Sequence, residues 1–427
     1  MTPVLFAGLV SRQRDLGLVH GDRPTCPFLR PHILARSQYE AISNAATLIG
    51  RAFEKLVRVA LTDAKLLERF GLTSAESQLA KIDPGYSSLC VTSRLDAYIC
   101  DDGFSFLEYN AESPAGVGDQ AQLDDLLLRL PHNEELLQKH RYWIPEPHRR
   151  LLSALLAAYL ETGGEEQHAQ IAIVDWSDVP TRTEFEVLKR YFESQGHPTL
   201  IADPIQLRYD GRNLHVNDFR IDIVYKRVVI HEFLDQAGLD HALIRAYTDG
   251  RVCMANSFRS KIAHKKIGFA ILSDPTYEHL FSDDELEAIR SYIPWTRAVS
   301  PGVTTFHGGE RDLLELIAAE RERLVLKPND DYGGHGVFLG WEMTPEEWDD
   351  TILLALRQPY VVQERVRVDR MPMPIYRESL TTEAMFIDVN PFLFHNEVEG
   401  ALIRLSTSSL LNVSSGGGQT SLLVIED

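Results

Sequence analysis

The stretch of sequence that decides the fold lies at residues 93–116 and reads SRLDAYICDDGFSFLEYNAESPAG. Residues 89–98 and 104–109 read as two short strands. Between them stand Asp101, Asp102 and Gly103, an Asp-Gly turn signal that is typical of a tight hairpin. The sequence therefore predicts an antiparallel hairpin whose two strands both carry polar residues.

Three of these polar residues carry oxygen ligands. Glu108 and Asn110 lie two positions apart and so project from the same face of a strand, and the hairpin can bring Asp96 beside them. Three oxygen ligands on one face suit Mg²⁺, which takes its remaining ligands from water and phosphates. The alternative is a surface hairpin with ordinary polar faces.

A second candidate site is the glycine-rich stretch KPNDDYGGHG at residues 327–336. It follows an apolar strand and places Gly333, Gly334 and Gly336 just before the next strand. Because glycine has no Cβ, backbone N–H groups there can approach phosphate oxygens, while Lys327 supplies a full positive charge. The stretch is not a Walker A loop, since no Gly-Lys-Ser/Thr and no helix follow. It predicts a phosphate cradle, with a plain tight turn as the alternative.

A later strand could form the part of a nucleotide site that binds adenine. Residues 360–366 form an apolar strand whose end carries Gln363 and Glu364. Such a strand can offer backbone groups to adenine. Lysine, glycine loop and apolar strand follow one another in an order that resembles the ATP-grasp fold, and this resemblance implies ATP as the nucleotide.

Residues 93–116 resemble the metal-binding stretch of glutathionylspermidine synthase and of the circularly permuted ATP-grasp proteins similar to it. The shared pattern is R-x-D, a short hairpin, and then E-Y-N-A-[DE]-[ST]-P-x-G, and the match is nearly complete. The resemblance implies that Asp96, Glu108 and Asn110 bind Mg²⁺, as two ions with the ATP, and that Arg94 meets the transferring phosphoryl group. It also implies a permuted chain, because the metal strands precede the lysine loop.

The resemblance extends to the nucleotide contacts. Residues 256–266 resemble a stretch that supplies a nucleotide-contacting lysine, and Lys261, Lys265 and Lys266 are the candidates, with Lys265 taken first. The family's other ATP-contacting positions match Lys327, Gly333, Gly334, Gly336, Gln363 and Glu364.

A last matching element lies near the C-terminal end of the sequence. Residues 400–404 resemble the family's G-x-x-x-R element, and Asn412 and residues 416–418 follow it. The resemblance implies that Arg404 stabilises charge at the reacting phosphate.

The whole chain is expected to be α/β with α+β lobes, in the manner of an ATP-grasp fold. Helical spacing extends over residues 38–70, and residues 170–175 and 198–202 read as the strands of a βαβ unit in a parallel sheet. We expect a helical region plus the metal-binding hairpin at residues 1–165, a central α/β domain on the substrate side at residues 166–255, and the ATP-grasp nucleotide-binding lobes at residues 256–427.

The composition of the chain indicates which classes of binding partner are unsuited to it. Lys and Arg number 43 against 62 Asp and Glu, so the formal charge of −19 repels nucleic acid and anionic lipid. The four cysteines show no CxxC pair and read as buried thiols rather than as a zinc site or a disulfide framework. No leader pattern and no long apolar window are apparent, so we expect a cytoplasmic protein without nucleic-acid or membrane partners.

Together these features predict an ATP-dependent ligase that joins a carboxylate to an amine through an acyl phosphate, similar to glutathionylspermidine synthase. The expected substrates are a small-molecule or peptide carboxylate and an amine acceptor; their identity and the oligomeric state stay open. Two alternatives would use the same site, namely a kinase that phosphorylates a small molecule and a non-catalytic nucleotide-binding protein.

Several further polar residues are left without a role. His231, His264 and His335 are each expected to be surface or hydrogen-bonded histidines. Asp388 and Asn390 sit on a strand, where we expect a solvated strand end, with a further metal contact as the alternative.

Overall fold

The computed structural model describes residues 3–20, 23–100, 103–165, 168–376, 379–408, 411 and 417–427. The α-helices are α1 Pro3–Leu16, α2 Arg36–Thr62, α3 Ala64–Arg69, α4 Ser74–Ala80, α5 Val117–Leu127, α6 Pro131–Lys139, α7 Pro147–Glu161, α8 Arg182–Ser194, α9 Ile230–Ala237, α10 Ala242–Thr248, α11 Ser260–His264, α12 Ile267–Leu272, α13 Asp283–Tyr292, α14 Leu313–Ala319 and α15 Pro345–Ala355. Short 3₁₀ turns occupy Pro204–Gln206, Pro275–Leu280, Arg321–Arg323 and Gly340–Glu342.

The β-strands are β1 Val19–His20, β2 Arg23–Pro24, β3 His32–Ala35, β4 Thr92–Cys100, β5 Gly103–Asn110, β6 Tyr142–Trp143, β7 Ile171–Val174, β8 Thr199–Ala202, β9 Arg208–Tyr209, β10 Leu214–Val216, β11 Phe219–Ile221, β12 Ile223–Lys226, β13 Cys253–Ala255, β14 Thr296–Ala298, β15 Val303–Phe306, β16 Gly309–Asp312, β17 Leu324–Pro328, β18 Phe338–Leu339, β19 Tyr360–Glu364, β20 Arg370–Tyr376, β21 Leu380–Phe394, β22 Glu397–Ser406, β23 Gly418–Thr420 and β24 Leu422–Ile425.

The predicted hairpin is the pair β4 and β5, which lies at one edge of an antiparallel sheet. The strand order is β23-β22-β21-β4-β5, and β20 also pairs with β21; we call this the central sheet. The turn residues Asp101 and Asp102 lie outside the described residues. Since β21 and β22 come from the end of the chain, the central sheet joins the early hairpin to late strands and brings distant residues together.

Helix α2 packs an apolar face into the core that covers the hairpin. Ile49, Phe53 and Leu56 are fully buried there, at helical spacing. The helix does not run unbroken over residues 38–70. The Asp63 side chain accepts hydrogen bonds from two backbone N–H groups of α3 and so caps a new helix, a contact worth about 1 kcal/mol.

A parallel sheet of order β13-β12-β7-β8 forms the middle of the molecule, and the predicted βαβ unit is confirmed as β7, α8 and β8. Strands β7 and β12 are buried throughout, because helices α7 and α8 cover one face while α9 and α10 pack on the other. Burial on both faces is what an all-apolar parallel strand requires.

The predicted nucleotide lobe contains an antiparallel sheet of order β14-β19-β17-β18. Helices α14 and α15 cover its outer face, with Leu316, Trp348 and Ile352 in the core between them. The other face of β17 and β19 is turned toward the central sheet, and the candidate site lies between the two sheets.

The structure is of mixed α/β class, with several sheets and helices packed on them. Cys26, Cys90 and Cys253 are buried free thiols as expected, whereas Cys100 is partly exposed. Among the helices in the described part of the chain, none combines the length and the apolar character needed to cross a membrane.

Candidate functional site

A cavity of about 480 Å³ lies between the hairpin β4–β5, strands β17 and β19, and the end of β22. Its volume falls in the range of small-molecule sites. The predicted residues that line it are Arg94, Asp96, Glu108, Asn110, Lys327, Gly333, Gly334, Gln363, Glu364 and Arg404. Residues from four separate parts of the sequence therefore share one cavity, while Gly336 and Lys265 are not among the side chains or backbone that line it.

Asp96 is the centre of the charged end of the cavity. Its carboxylate accepts hydrogen bonds from Arg94 Nε at 2.7 Å and from Asn110 Nδ2 at 3.0 Å, and Arg404 Nη2 lies 2.8 Å from its second oxygen. Burial would raise the pKa of Asp96, but Arg94 and Arg404 outweigh burial and lower this pKa to about 2. Asp96 is therefore an anion at neutral pH.

Strand register places the other two predicted metal ligands beside Asp96. Glu108 is the direct cross-strand partner of Asp96. Asn110 pairs with Arg94, two residues away from each of them along its strand. A β-bulge between Asp96 and Ala97 interrupts the ladder at this point, and bulges re-aim side chains next to sites.

Glu108 has its own cation. Lys266 Nζ lies 2.9 Å from Glu108 Oε1, and the same ammonium donates to the carbonyl of Asp331 at 2.5 Å. Burial would raise the pKa of Glu108, but the charge of Lys266 outweighs it, so the pKa is lowered. Lys266 thus ties the hairpin to the start of the glycine loop.

Lys327 stands apart from these ion pairs. Its ammonium donates to Gln363 Oε1 at 2.6 Å and to the Leu107 carbonyl at 3.2 Å, both of them neutral acceptors. Burial therefore lowers the pKa of Lys327 to about 8. Within the described part of the chain, the hydrogen bonds of Lys327 go to these neutral acceptors, and a desolvated lysine held in this way suits a polyanionic ligand.

The glycine loop has the backbone that its sequence predicts. Gly333, Gly334 and Gly336 have φ of 69°, 78° and 65°, the left-handed region that favours glycine. The loop from Tyr332 to Gly336 is exposed, while Asp330 at its start is held by Lys261 Nζ at 2.7 Å and by Lys265 Nζ at 2.6 Å.

The geometry separates the three candidate lysines. Lys261 and Lys265 are buried in ion pairs with Asp330 and Glu76, and Lys261 also pairs with Glu112. Lys265 is not among the residues that line the cavity, and its assignment as the nucleotide contact stays a prediction that this geometry does not support; of the three candidates, Lys266 lines the cavity. Consecutive residues at a helix junction point in different directions, which spacing in the sequence did not reveal.

The opposite end of the cavity is apolar. Val325, Val337, Leu339, Val366, Val368 and Phe386 line it. Trp341 also lines it and carries the Arg365 guanidinium 4.0 Å above its ring. Of the two predicted adenine-side residues, Gln363 bonds Lys327, and the Glu364 carboxylate is bound by Arg323 at 3.0 Å. Apolar side chains and charged groups thus line one cavity, as the base and the phosphates of a nucleotide would require.

The donor set at the charged end fits Mg²⁺. Two carboxylates and a carboxamide meet on one hairpin, and hard cations take oxygen ligands of this kind. The surrounding cations Arg94, Lys266, Lys327 and Arg404 outnumber the acids Asp96 and Glu108, so the cavity also suits the negative charge of phosphates.

Asp388 and Asn390, for which the sequence favoured a solvated strand end over a further metal contact, lie beside the site without lining the cavity. Both are fully buried in β21, so the expectation of a solvated strand end is wrong. Arg404 binds Asp388 through Nε at 2.9 Å, and Asn390 donates to Asp388 at 2.7 Å. The alternation Asp-Val-Asn within the apolar stretch 384–394 of this strand was the available signal, because buried polar pairs on one strand face need partners.

The structure leaves some predicted elements untested. Asn412 and Gly416, which follow the G-x-x-x-R element, lie outside the described residues.

The three histidines that the sequence left without a role differ in exposure. His264 is buried, whereas His335 lies exposed on the glycine loop and the side chain of His231 is a third exposed beside Lys261.

Comparison with known proteins was made for sequence and for structure. No family model matches the chain. It is 27% identical over 233 residues, 51% of this chain and 25% of the relative, to a Frankia alni protein named "Putative glutamate--cysteine ligase 2-3". It is 26% identical over 213 residues, 47% of this chain and 23% of the relative, to "Putative glutamate--cysteine ligase 2-2" of Frankia casuarinae. The chain spans about a quarter of the length of these curated relatives.

Among solved structures, the chain resembles a glutathione synthetase-like effector of Globodera pallida in its apo form. The TM-score is 0.58 at 15% identity, and the likeness covers 100% of this chain and 98% of that one. At this identity the likeness shows a shared fold and carries no argument about activity.

Proposed function

We propose that this chain is an ATP-dependent ligase that forms an amide bond between a carboxylate and an amine through an acyl phosphate. The observation that carries the proposal is the meeting of Asp96, Glu108 and Asn110 with Lys327 and Arg404 in one cavity that also has an apolar end. Acids, cations and an apolar end of this kind suit a nucleoside triphosphate bound with a divalent cation.

The fold that we propose is a circularly permuted ATP-grasp fold, similar to glutathionylspermidine synthase. Its support is the order of parts along the chain: the hairpin with the acids precedes β17, the glycine loop and β19, yet β21 and β22 return to complete the sheet around the hairpin. The names of the two Frankia relatives point to the same class of amide-forming chemistry.

Each residue has a proposed part in binding. Asp96, Glu108 and Asn110 would hold Mg²⁺, which supplies charge neutralisation for the β- and γ-phosphates when bound. Lys327, Lys266 and the backbone of the glycine loop would hold the phosphates, and the apolar end of the cavity beside Gln363 and Glu364 would hold adenine.

The reaction proceeds in two steps. A carboxylate oxygen attacks the γ-phosphorus, the bond to the ADP oxygen breaks, and an acyl phosphate forms while Arg94 and Arg404 stabilise the charge on the transferring group. An amine nitrogen then attacks the acyl carbon, inorganic phosphate leaves, and the nitrogen loses a proton. Closure of the exposed glycine loop would exclude water from the acyl phosphate.

The test is a screen of carboxylate and amine pairs for ADP release, followed by mass spectrometry of the products. Amino acids and thiol-containing peptides are the first substrates to screen, because the relatives are named for glutamate and cysteine. We expect ADP, free phosphate and an amide in equal amounts. A phosphorylated small molecule without free phosphate would show a kinase instead, and ATP binding without turnover for any pair would show a non-catalytic nucleotide-binding protein.

A further inference from the structure

Asp388 is a buried carboxylate whose oxygens both point to partners within the central sheet. Strand register pairs it with Arg404, and Asp388 accepts hydrogen bonds from Arg404 N at 3.1 Å, Nε at 2.9 Å and Nη2 at 2.6 Å. Asn390 Nδ2 donates to its Oδ1 at 2.7 Å. With these donors in place, the carboxylate is engaged by protein groups and lies outside the residues that line the cavity.

Asn390 makes a second contact that reaches the hairpin. Its Oδ1 accepts a hydrogen bond from the backbone N–H of Ala97 at 3.0 Å. The register pairs Asp388 with Tyr98 and Phe392 with Arg94, so Asn390 falls opposite Asp96. The register shift of the hairpin lies between Asp96 and Ala97 and leaves Leu107 of β5 as the extra residue, and a buried N–H such as that of Ala97 is costly without an acceptor. Asn390 supplies the acceptor.

These contacts close into a ring. Asp96 adjoins Ala97, Ala97 bonds Asn390, Asn390 bonds Asp388, Asp388 bonds Arg404, and Arg404 Nη2 returns to Asp96 at 2.8 Å. Asp388 and Asn390 are fully buried, whereas Asp96 and Arg404 line the cavity. The ring therefore connects two buried polar residues to two residues of the site.

We propose that Asp388 and Asn390 are positioning residues: Asp388 orients Arg404 toward the transferring phosphoryl group, and Asn390 holds the bulge that aims Asp96 at the cation. The inference rests on the proposed function. A free arginine side chain samples many rotamers, and the contacts to Asp388 remove that freedom before any substrate arrives. Outer partners of this kind typically change activity or metal affinity by about 10–100-fold when removed.

The first test replaces the carboxylate of Asp388 with an amide. Asp388→Asn should lower kcat by about 10–100-fold while the KM for ATP changes far less, because Arg404 acts mainly during transfer. The matched control is Glu285→Gln, which neutralises another buried carboxylate that pairs with a cation, Lys55, away from the cavity. If Asp388→Asn lowers kcat no more than Glu285→Gln does, the assignment of Asp388 is overturned.

The second test measures Mn²⁺ binding by electron paramagnetic resonance with no nucleotide present. Asn390→Ala should weaken Mn²⁺ binding by about 10–100-fold, because the bulge beside Asp96 loses its acceptor, while Glu285→Gln should bind Mn²⁺ as the wild type does. Equal Mn²⁺ dissociation constants for wild type and Asn390→Ala overturn the assignment of Asn390. If no substrate pair gives turnover in the wild type, the proposed function fails, but this measurement still decides the role of Asn390.

A double variant separates positioning from folding. In Asp388→Asn with Asn390→Asp, the buried charge and the hydrogen bond between the two side chains are kept, but the charge moves two residues away from Arg404. We expect this variant to fold and to remain slow in kcat. Wild-type kcat in the double variant would show that only buried charge and bonding matter, and would overturn the proposal.

Discussion

The sheet wall of the cavity and the glycine loop across from it are built in opposite ways. On the sheet wall, Arg94, Asp96 and Arg404 are largely buried and each charge has a protein partner. On the loop, Tyr332 to Gly336 are exposed and the glycines adopt left-handed backbone. A wall that is ordered before the ligand arrives suits transition-state stabilisation, and an exposed loop suits ligand capture and closure. Changes on the wall should therefore lower kcat, and changes on the loop should weaken ATP binding.

The largest effect should come from Asp96→Ala on the sheet wall. Loss of one acid of the proposed cation site should cost about 4 kcal/mol at the transition state, which is about a 10³-fold loss of ATP turnover. ADP release in the presence of both substrates measures it, and Asp349→Ala, an exposed acid elsewhere, is the control. Turnover of Asp96→Ala equal to that of the control would contradict the metal assignment.

The second largest effect should come from Arg404→Met. We expect kcat to be about 10²–10³-fold lower, with a smaller change in the ATP dissociation constant. Arg404→Lys should recover only part of the loss, because lysine keeps the charge but not the planar fork that Asp96 and Asp388 bind. Steady-state kinetics together with calorimetric ATP binding measure both variants. If ATP binding falls as much as kcat, Arg404 belongs with the loop side of the comparison rather than with the wall.

Two adjacent lysines should respond differently. Lys266→Met should weaken ATP binding by about 10-fold, since a cation that lines the cavity is worth a little over 1 kcal/mol there. Lys265→Met should instead lower the free energy of unfolding by about 1–3 kcal/mol, because Glu76 and Asp330 each lose one of the two lysines that pair with them and keep only Lys261. Calorimetry and urea denaturation give the two numbers, and the reverse pattern would restore Lys265 as the nucleotide contact.

ATP affinity should fall as pH rises through about 8. Burial lowers the pKa of Lys327 to about 8, so its ammonium, which attracts phosphate, is present below that pH and is lost above it. The dissociation constant for ATP should be measured by calorimetric titration at about half-unit steps from pH 6.5 to pH 9.5. It should rise above pH 8. In Lys327→Met the rise should vanish; a rise that persists would assign it to another group.

The smallest effect should come from Gly336→Ala on the loop. Its φ of 65° disfavours alanine, and a Cβ there would lie 3.1 Å from the Tyr360 hydroxyl, so a strain of about 1 kcal/mol should raise the KM for ATP about fivefold with kcat little changed. Gly211→Ala is the matched control, since its φ is 89° with nothing within 4 Å of the added Cβ. A fall in kcat alone would place the loop with the sheet wall.

Local patterns in the sequence predicted much of the fold. The hairpin and the βαβ unit are observed as β4–β5 and β7–α8–β8, the strands on both sides of the glycine loop as β17 and β18, and the strand at residues 360–366 as β19. Each depends on neighbours in sequence, such as turn residues and apolar periodicity, which a single chain shows directly. The sequence did not reveal the break between α2 and α3 at Asp63. The capping carboxylate ends one helix and starts the next, while the apolar residues on both sides keep their helical spacing.

The sequence by itself determined which residues could serve the site, since an acid and an amide two apart on a strand share a face, and glycines free the backbone wherever the chain folds. Only the tertiary structure decided that Lys266 rather than Lys265 lines the cavity, and that Asp388 and Asn390 are buried beneath Arg404. The physical reason differs between the two: the direction of each lysine is set at the junction of α11 and α12, whereas the burial of Asp388 and Asn390 depends on the pairing of β21 with β4, a strand nearly three hundred residues away. Both are set by packing of the whole molecule.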